Sequence, residues 1–406
     1  MNHGPFDAIA IGAGPAGVAA AVLLARRGHR VLLVDRAPAP RDKLCTHAIM
    51  PAGLQVLDSL GVLGEMERAG ATRWTGVRLW LNGTLFDEPL PHRRAAFAYG
   101  LSLRRAAFDA ILQRAAEREP GITLLRGAAV TGLLRDGARI HGARIENGGG
   151  AAEIEAPVTI LASGRHTWLA RDARVRSVLL PNRHTAYVAY LDGVAPGPSV
   201  ALEGYYLHGH AASLLPADHG LRVGGVMVLG EPWREHDLSA RLLTEMRRFP
   251  PLAERLRGAR VVSRPVLVRG LRNVWREPRL PGLVLVGDAG LQTDPLFGQG
   301  ITFALRCGAW AAEAIDRGLR DGDLDGALLA YARRRARVLG LRFAGISLFS
   351  LVPPGSRLEQ VLIENARSAT WSTRLGLRLM LGFTTVSRER PPRRTLGTWV
   401  REALSA

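Results

Sequence analysis

The chain has 406 residues, of which 47% are hydrophobic and 22% are charged, so it is long enough for two or three packed units with a large core. It shows no apolar run of the roughly 18 residues that a membrane-spanning helix needs, and no signal segment precedes its first predicted strand. Its two cysteines, Cys45 and Cys307, are far apart and do not suggest a disulfide framework. We therefore expect a globular cytoplasmic protein.

The charge is the unusual feature of the composition. The formal net charge is +18, and arginine supplies almost all of the positive charge because Lys43 is the single lysine. A cationic surface favours encounters with acidic partners, such as an acidic carrier protein, a negatively charged redox partner or an anionic membrane surface. No nucleic-acid-binding module is recognisable, so a nucleic-acid partner is not predicted.

The first motif lies in the stretch "AIAIGAGPAGVAAAVLLARRG", residues 8–28. An apolar strand leads into Gly12, Gly14 and Gly17, which have the G-x-G-x-x-G spacing, and a helix follows from Pro15. This arrangement allows a tight turn, a close approach of backbone to phosphates and close packing of helix on strand. The free N–H groups and the dipole at the start of the helix favour an anion.

The next strand, "HRVLLVDR", ends in an acid that is placed to bind a ribose diol. The strand, the glycine turn, the helix and this acid together predict a dinucleotide site, although they do not distinguish FAD from NAD. The predicted cofactor contacts at this end are Gly12, Gly14, Pro15, Ala16, Gly17, Asp35 and Arg36.

A second strand–turn–helix segment spans residues 280–315. The apolar strand "LVLVGD" ends in Asp288, and "DPLFGQG" then leads into a helix near Ile301. This segment resembles the G-D motif of the para-hydroxybenzoate hydroxylase-like flavoproteins. The resemblance implies that the aspartate binds the ribityl chain and that the start of the helix faces the flavin ring, where its positive end stabilises the anionic reduced ring. We call the two strand–turn–helix segments the first and the second cradle. They are far apart in the sequence, and together they suit one long cofactor, FAD. The predicted contacts here are Asp288, Pro295, Gly298, Gln299, Gly300 and Ile301.

Three shorter segments extend the resemblance. "RRAAFD" is similar to the family's R-x-x-F-D segment, which implies that Arg105 lies near the adenosine or pyrophosphate, and the strand near Val130 is implied to contact the adenine. Residues 158–171 stand where the family has A-D-G-x-x-S. Gly164 is kept, but Ser163 and Thr167 replace the aspartate and the serine. This change weakens the expectation that NAD(P)H docks directly, so the electron donor is NAD(P)H or another external donor.

Residues 40–63 resemble the K-x-C-G segment of geranylgeranyl reductase-like enzymes. Lys43 and Cys45 match, and Thr46 replaces the glycine. The resemblance implies that Cys45 lies close to the flavin ring. Cys45 and His47 are therefore candidate catalytic residues, but two alternatives stay open. Cys45 is either reactive or an inert part of an apolar wall, and His47 is either a proton donor near the ring or a histidine satisfied within the core.

The predicted fold class is α/β. It comprises a Rossmann-like FAD-binding domain of the glutathione-reductase type, an inserted antiparallel β-sheet substrate domain and a C-terminal helical cap. The substrate segments alternate apolar and polar residues, whereas apolar residues of the C-terminal region recur at helical spacing. The predicted boundaries are 1–71, 99–182 and 266–326 for the FAD-binding domain, 72–98 and 183–265 for the substrate domain, and 327–406 for the helical region.

The predicted activity is FAD-dependent oxidoreduction. The order of the motifs favours a monooxygenase that hydroxylates or epoxidises a mainly apolar small molecule or carrier-tethered substrate. Reduction of a carbon–carbon double bond, as in geranylgeranyl reductases, is the alternative. Halogenation is disfavoured because Lys43 lies in the wrong segment to guide hypohalous acid, and a flavin-binding protein without turnover is a further alternative. No ligand spacing for a metal site is visible.

The region that should decide the reaction carries few signals. Geranylgeranyl reductases have Y-x-W-x-F-P on one substrate-domain strand, and flavin-dependent halogenases have W-x-W-x-I-P there. The matching segment here is "AASLLP", which places Ala211, Ser213 and Leu215 at those positions. Small residues in place of aromatic ones predict a wider pocket.

Overall fold

A parallel sheet forms the centre of the computed structural model, which describes residues 6–43, 45–90, 96–165, 167–229, 231–234, 236–269 and 271–368. All neighbouring strands of this sheet are parallel except the first pair. Its strands are, in spatial order, Arg279–Leu280, Leu283–Leu285, Val158–Leu161, Ala8–Ile11, Val31–Asp35 and Ile122–Arg126. The sequence "AIAI" of its central strand is entirely buried, as expected for a parallel sheet that is covered on both faces.

Helices Pro15–Ala25, Arg105–Glu117 and Gly300–Asp321 contribute to the core on one side of this sheet. Pro15–Ala25 and Gly300–Asp321 approach each other closely: a Cβ atom at Gly308 would lie 2.3 Å from the carbonyl oxygen of Ala16. A side chain at this position would therefore separate the two helices that follow the two predicted cradles.

The other face of the parallel sheet packs against a small antiparallel sheet. Its strands are Ala129–Asp136, Arg139–Asn147 and Gly150–Glu155. Ile140, Ala143 and Ile145 of the middle strand join Ile9 and Leu32 of the parallel sheet in one buried cluster.

A second large sheet, which we call the roof sheet, has eight strands. The pairing is antiparallel except between Ala201–Leu207 and Gly76–Leu81. Its strands are Gly76–Leu81, Thr84–Pro89, Thr185–Asp192, Ala201–Leu207, His210–Pro216, Arg222–Met227, Arg260–Val261 and Val266–Arg269. One face of this sheet packs against helix Leu238–Met246 through a cluster that contains Tyr187, Leu214 and Met246. The parallel sheet, the roof sheet and the helices confirm the predicted fold class.

Two predicted domain boundaries differ from the strand pairing. Val266–Arg269 pairs with Thr185–Asp192 in the roof sheet, so this sheet continues past the predicted boundary after residue 265. Thr72–Trp74 pairs with Gly100–Ser102 in a small separate sheet that also contains Ala48–Ile49, so the first roof strand begins at Gly76 instead of residue 72. The sequence of a single strand does not reveal its pairing partner.

The C-terminal region is helical as far as the structure describes it, with Leu324–Leu351 and Arg357–Ser368; residues 369–406 of the predicted cap lie outside the described residues. Arg335 of the first helix is fully buried. It donates hydrogen bonds to the carbonyl oxygens of Gly290, at 3.0 Å, and Arg276. This helix therefore covers the core beside the turn that carries Asp288.

Shorter elements connect these layers. They are the helices Pro51–Ser59, Leu63–Arg68, Trp168–Asp172 and Pro250–Ala253, the strands Ser177–Leu180, Asn273–Arg276 and Leu291–Gln292, and the 3₁₀ turns Gly287–Ala289 and Pro295–Phe297. Among the described helices, none combines the length and the hydropathy required to cross a membrane.

Candidate active site

A cavity of about 740 Å³ lies between the carboxyl ends of the parallel strands and the roof sheet. Both predicted cradles open into it. In open α/β folds this edge of the sheet is the usual place for a ligand, because the loops and helix starts that follow the strands meet there.

The predicted cofactor residues on the cavity wall come from both cradles and from the segments between them: Gly12, Gly14, Pro15, Ala16, Asp35, Arg36, Cys45, Arg105, Val130, Gly164, Asp288, Pro295, Gly298, Gly300 and Ile301. Three predicted site residues, Gly17, Gln299 and His47, are not on the wall. A Cβ atom at Gly17 would lie 1.9 Å from the carbonyl oxygen of Gly12, so this glycine serves helix–turn packing. Gln299 is buried, 1% exposed, at the residue that precedes helix Gly300–Asp321.

The first cradle has the geometry that its sequence predicts. Gly12 has a φ of +110°, and a Cβ atom there would lie 2.5 Å from the carbonyl oxygen of Ala162. The Asp35 carboxylate accepts hydrogen bonds from the backbone N–H groups of Ala13 and Ala37, both at 2.8 Å. These bonds fix the carboxylate at the cavity wall, next to the start of helix Pro15–Ala25.

At the second cradle, Asp288 stands in the turn Gly287–Ala289. Burial raises the pKa of its carboxyl group, and the nearby positive charges of Arg165, Arg105 and Arg276 oppose that rise. Arg105 also donates two hydrogen bonds to Asp109, at 2.9 and 2.8 Å. Guanidinium groups therefore surround the buried Asp288 carboxyl group, and one of them is held by a second acid.

The arrangement fits FAD. Apart from each glycine's chain neighbours and its own helix backbone, no atom of the described residues lies within 4 Å of the position that a Cβ atom would occupy at Gly14 or at Gly300, so both glycines leave space at the starts of the two helices. The hydroxyl oxygens of Ser163 and Thr167 are buried and have no hydrogen-bond partner among the described residues. Both residues line the cavity, where a polar ligand would complete their hydrogen bonding.

Cys45 lies on the cavity wall, whereas His47 is fully buried behind it. The Cys45 sulfur is 3.5 Å from Nδ1 of His47, and Nε2 of His47 is 2.8 Å from the hydroxyl oxygen of Tyr190. Burial lowers the pKa of His47 to about 4 and raises that of the Cys45 thiol. The structure thus gives the His47 ring hydrogen-bond partners within the core and no direct access to the cavity.

The roof sheet presents an apolar face to the cavity. Ala186 and Val188 of one strand, together with the predicted positions Ala211, Ser213 and Leu215 of another, line it. Side chains alternate along a strand, so the neighbouring Leu214 points instead into the cluster beneath helix Leu238–Met246. The positions where this chain has small residues instead of the aromatic ones thus lie on the cavity face of the roof sheet.

Residues 6–198 match the model of a protein family described as "FAD binding domain". This part of the chain corresponds to an FAD-binding domain, and the chain is similar to FAD-dependent oxidoreductases. The predicted recognition is thereby confirmed, and so is FAD as the cofactor of the domain. The roles of individual site residues, the domain boundaries and the partners stay predictions.

Relatives of this flavoprotein include enzymes with different named reactions. It is 23% identical over 402 residues to the squalene epoxidase ERG1 of Saccharomyces cerevisiae, covering 85% of this chain and 77% of that protein. It is 29% identical over 331 residues to a menaquinone reductase of Mycobacterium tuberculosis, covering 76% of each. The solved structure of the flavin-dependent brominase Bmp2 has the same fold, with a TM-score of 0.79 at 21% identity, covering 99% of this chain and 98% of that one.

One group on the wall of the flavoprotein's cavity was missed by the sequence analysis. Nδ1 of His184 is 2.7 Å from Oδ2 of Asp294, and the Ser350 hydroxyl donates to the same oxygen at 3.0 Å. Nε2 of His184 is buried and has no hydrogen-bond partner among the described residues. The signal that could have been used is Asp294 itself, which stands in the quoted "DPLFGQG". His184 lies 110 residues away, so its approach to Asp294 depends on the tertiary fold.

Proposed function

We propose that the protein is a flavin monooxygenase that hydroxylates or epoxidises a mainly apolar small molecule. The observation that carries the proposal is the apolar roof over the cavity. FAD, when bound, would supply electrons and react with dioxygen, while the protein positions the substrate and keeps water out.

The register of the roof sheet explains how this face is built. Val188 pairs with Gly225, which pairs with Ser213, so these three residues form one row across the sheet. The next row on the same face of the sheet contains Val223 and Leu215. The hydroxyl groups in these two rows are those of Ser213 and of Tyr190, which pairs with Val223 and whose hydroxyl is bound to His47 and Asp42. A hydrocarbon surface would therefore meet mainly methyl and methylene groups.

The two cradles would hold the cofactor. The start of helix Pro15–Ala25 and the open side of Gly14 suit the pyrophosphate, and the fixed carboxylate of Asp35 suits a ribose diol. The start of helix Gly300–Asp321 would place positive potential near the flavin ring. An external donor, NAD(P)H or another reductant, would supply the electrons.

The yeast relative supports oxygenation because its name combines an apolar substrate, squalene, with epoxidation. An apolar, water-poor site also favours oxygen transfer, since water promotes the competing release of hydrogen peroxide. The substitution of small residues on the roof leaves space for a bulky substrate above the cofactor.

A direct test mixes the photoreduced FAD-loaded enzyme with oxygenated buffer in a stopped-flow instrument, with and without squalene as an apolar probe. We expect a long-lived absorbing species that differs from both oxidised and reduced flavin. A direct return to the oxidised spectrum, with one hydrogen peroxide released for each flavin, would instead refute the monooxygenase proposal.

Hydride transfer to a carbon–carbon double bond is the second candidate. It is favoured by Cys45 on the cavity wall, in a segment that resembles geranylgeranyl reductases, and by the menaquinone reductase relative. Anaerobic mixing of the reduced enzyme with geranylgeraniol distinguishes it. Flavin reoxidation coupled to a gain of two hydrogen atoms in the alkene would establish reduction, and an unchanged flavin spectrum and alkene would count against it.

We do not propose halogenation. The role of the lysine in halogenases requires that it stand between flavin and substrate, whereas Lys43, the single lysine of this chain, reaches the cavity wall from the segment before Cys45 and is paired with an acid. Nζ of Lys43 is 3.5 Å from Oδ2 of Asp109, which also binds Arg105.

A further inference from the structure

Four side chains are joined by hydrogen bonds that run from the cavity wall to the protein surface. Cys45 lies on the wall, His47 and Tyr190 follow, and Asp42 is exposed. The sulfur of Cys45 is 3.5 Å from Nδ1 of His47, Nε2 of His47 is 2.8 Å from the Tyr190 oxygen, and the Tyr190 hydroxyl donates to Oδ2 of Asp42 at 3.2 Å. The last three residues have no role in the oxygenation proposed above.

The hydrogen bonds in this series have a consistent direction. Because the Tyr190 hydroxyl donates to Asp42, its oxygen accepts from His47, which places the ring proton on Nε2. Nδ1 then carries the lone pair and faces the Cys45 thiol, which is its donor. Each group donates to the next one toward the surface.

We propose that Cys45, His47, Tyr190 and Asp42 form a path that carries a proton between the flavin cavity and bulk water. In the outward direction, the thiol proton of Cys45 moves to Nδ1 of His47 as the sulfur takes a proton from a group in the cavity. The Nε2 proton moves to the Tyr190 oxygen, and the Tyr190 proton moves to the Asp42 carboxylate, which releases it to water. One proton enters the series, one leaves it, and no charge remains on the three inner groups.

This transfer reverses the donor and the acceptor in the hydrogen bonds of the series. Afterwards Nδ1 of His47 carries the proton, the Tyr190 hydroxyl points toward Nε2, and the Cys45 thiol points to the cavity. The series is then arranged to carry a proton inward from Asp42. The path therefore alternates between outward and inward transfer, which suits a catalytic cycle that releases one proton and takes up another.

The surroundings keep the inner groups neutral. Burial lowers the pKa of His47 to about 4, and the nearby charges of Asp42 and Asp218 oppose those of Arg105 and Arg104. Burial also raises the pKa of both the Cys45 thiol and the Tyr190 phenol, so both keep their protons at neutral pH. A neutral histidine between a neutral donor and a neutral acceptor passes protons on without storing one.

The backbone and the ring packing hold His47 in this position. Its φ of 55° is in the left-handed region, which a residue with a side chain rarely adopts unless its surroundings impose it. Its ring stacks on that of Tyr190 with 5.7 Å between centroids and 16° between planes. The guanidinium carbon of Arg104 lies 5.9 Å from the Tyr190 ring centroid, and Arg104 is itself fixed by Asp218, to which it donates at 2.6 Å.

The first test reads the proton position directly and does not depend on turnover. Histidine labelled with ¹⁵N reports by NMR which ring nitrogen carries hydrogen, and we expect the Nε2–H form of His47 in the FAD-loaded protein. Tyr190→Phe removes the hydroxyl and keeps the ring, so the Nδ1–H form should become populated. The matched control is Tyr187→Phe on the opposite face of the same strand, which should leave the His47 signals unchanged.

The second test measures proton movement. Reoxidation of the anionic reduced flavin by dioxygen yields oxidised flavin and hydrogen peroxide and consumes one proton, which a pH indicator detects. Tyr190→Phe should slow proton uptake by about 10²-fold, in the range typical of a lost proton donor, and Tyr187→Phe should not. Asp42→Asn at the surface, which cannot accept a proton, should slow it in the same sense without disturbing the fold.

Unchanged His47 signals and unchanged proton uptake in Tyr190→Phe would overturn the path. This outcome is distinct from a failure of the oxygenation proposal. The path requires a flavin cavity that exchanges protons, which both oxygenation and double-bond reduction need, whereas the oxygenation test concerns the species formed with dioxygen.

Discussion

His47 and His184 are both buried, and they mark two ends of the same cavity in different ways. His47 lies behind the wall, with hydrogen-bond partners for both ring nitrogens. His184 lies on the wall, with Nδ1 bound to Asp294 and no partner for Nε2 among the described residues. A histidine whose two ring nitrogens both have hydrogen-bond partners is suited to relay a proton. A histidine bound by one carboxylate is instead held in place, and its second ring nitrogen still lacks a hydrogen-bond partner.

One roof strand connects the two regions. His184 stands directly before Thr185–Asp192, Ala186 and Val188 follow on the cavity face, and Tyr190 ends the series beside His47. At about 3.3 Å per residue, the polar groups at the two ends are about 20 Å apart. The apolar surface between them has the dimensions of a long hydrocarbon.

The largest expected effect concerns the His184 end. Asp294→Ala removes the acceptor of His184 and one of the two acceptors of Ser350, whose hydroxyl still has the carbonyl oxygen of Ile346, so Nδ1–H of His184 is left as the unpaired buried donor. We expect the free energy of unfolding to fall by about 3 kcal/mol, the upper end for one unpaired buried donor, in urea denaturation. The control is Asp192→Ala, which removes an exposed partner of Arg260 and should change little. An equal loss of unfolding free energy in the two variants would show that the buried His184–Asp294 pair stabilises the fold no more than an exposed pair does.

The next prediction concerns the His47 end and depends on pH. The pKa of His47 is lowered from 6.5 to about 4, so the unfolded chain binds more protons than the folded one between these values. Stability should therefore rise with pH through this window and be lost as the pH falls from about 6.5 to 4. The loss attributable to His47 is about 3 kcal/mol, at about 1.4 kcal/mol per pKa unit.

The variant His47→Asn isolates this contribution. Asparagine tolerates the left-handed backbone at position 47 and does not titrate. Urea unfolding of the wild type and of the variant, each at neutral pH and at about pH 4, should show a smaller pH dependence in the variant. The same pH dependence in both proteins would mean that burial of His47 does not control it.

The smallest expected effect compares single hydroxyl groups at the two ends. Ser350→Ala removes one of the two donors to Asp294, and Tyr190→Phe removes the group between His47 and Asp42. Each substitution removes the two hydrogen bonds of one hydroxyl without removing the charged partner, so each should lower the free energy of unfolding by about 2 kcal/mol, at about 1 kcal/mol per bond. A much larger loss for one variant would identify the end whose network is more cooperative.

Local sequence was sufficient to predict the cofactor cradles. The glycines around Gly14 and Gly298 act through turns and helix starts within a few residues, so their spacing carries the geometry. The cavity face of "AASLLP" followed for the same reason, because side chains alternate along a strand. Recognition of these segments gave the fold class and the FAD domain.

Contacts between distant segments could not be predicted in this way. His47 meets Tyr190 across 143 residues and His184 meets Asp294 across 110, and neither separation leaves a periodic signal. The pairing of Val266–Arg269 with Thr185–Asp192 across the predicted boundary at residue 265 is a contact of the same kind. The candidate His47 was found only because it adjoins a recognisable motif, and His184 adjoins none.

The buried Arg335 has a consequence for exchanging parts between related enzymes. Its guanidinium group binds carbonyl oxygens of the segments on both sides of the turn that carries Asp288, and it lies 4.3 Å from the Trp275 ring centroid. In a chimera whose junction lies before helix Leu324–Leu351, Arg335 and the turn that it holds would come from different parent proteins. Grafts that aim to transfer substrate preference should therefore keep this helix with the nucleotide-binding half of its parent.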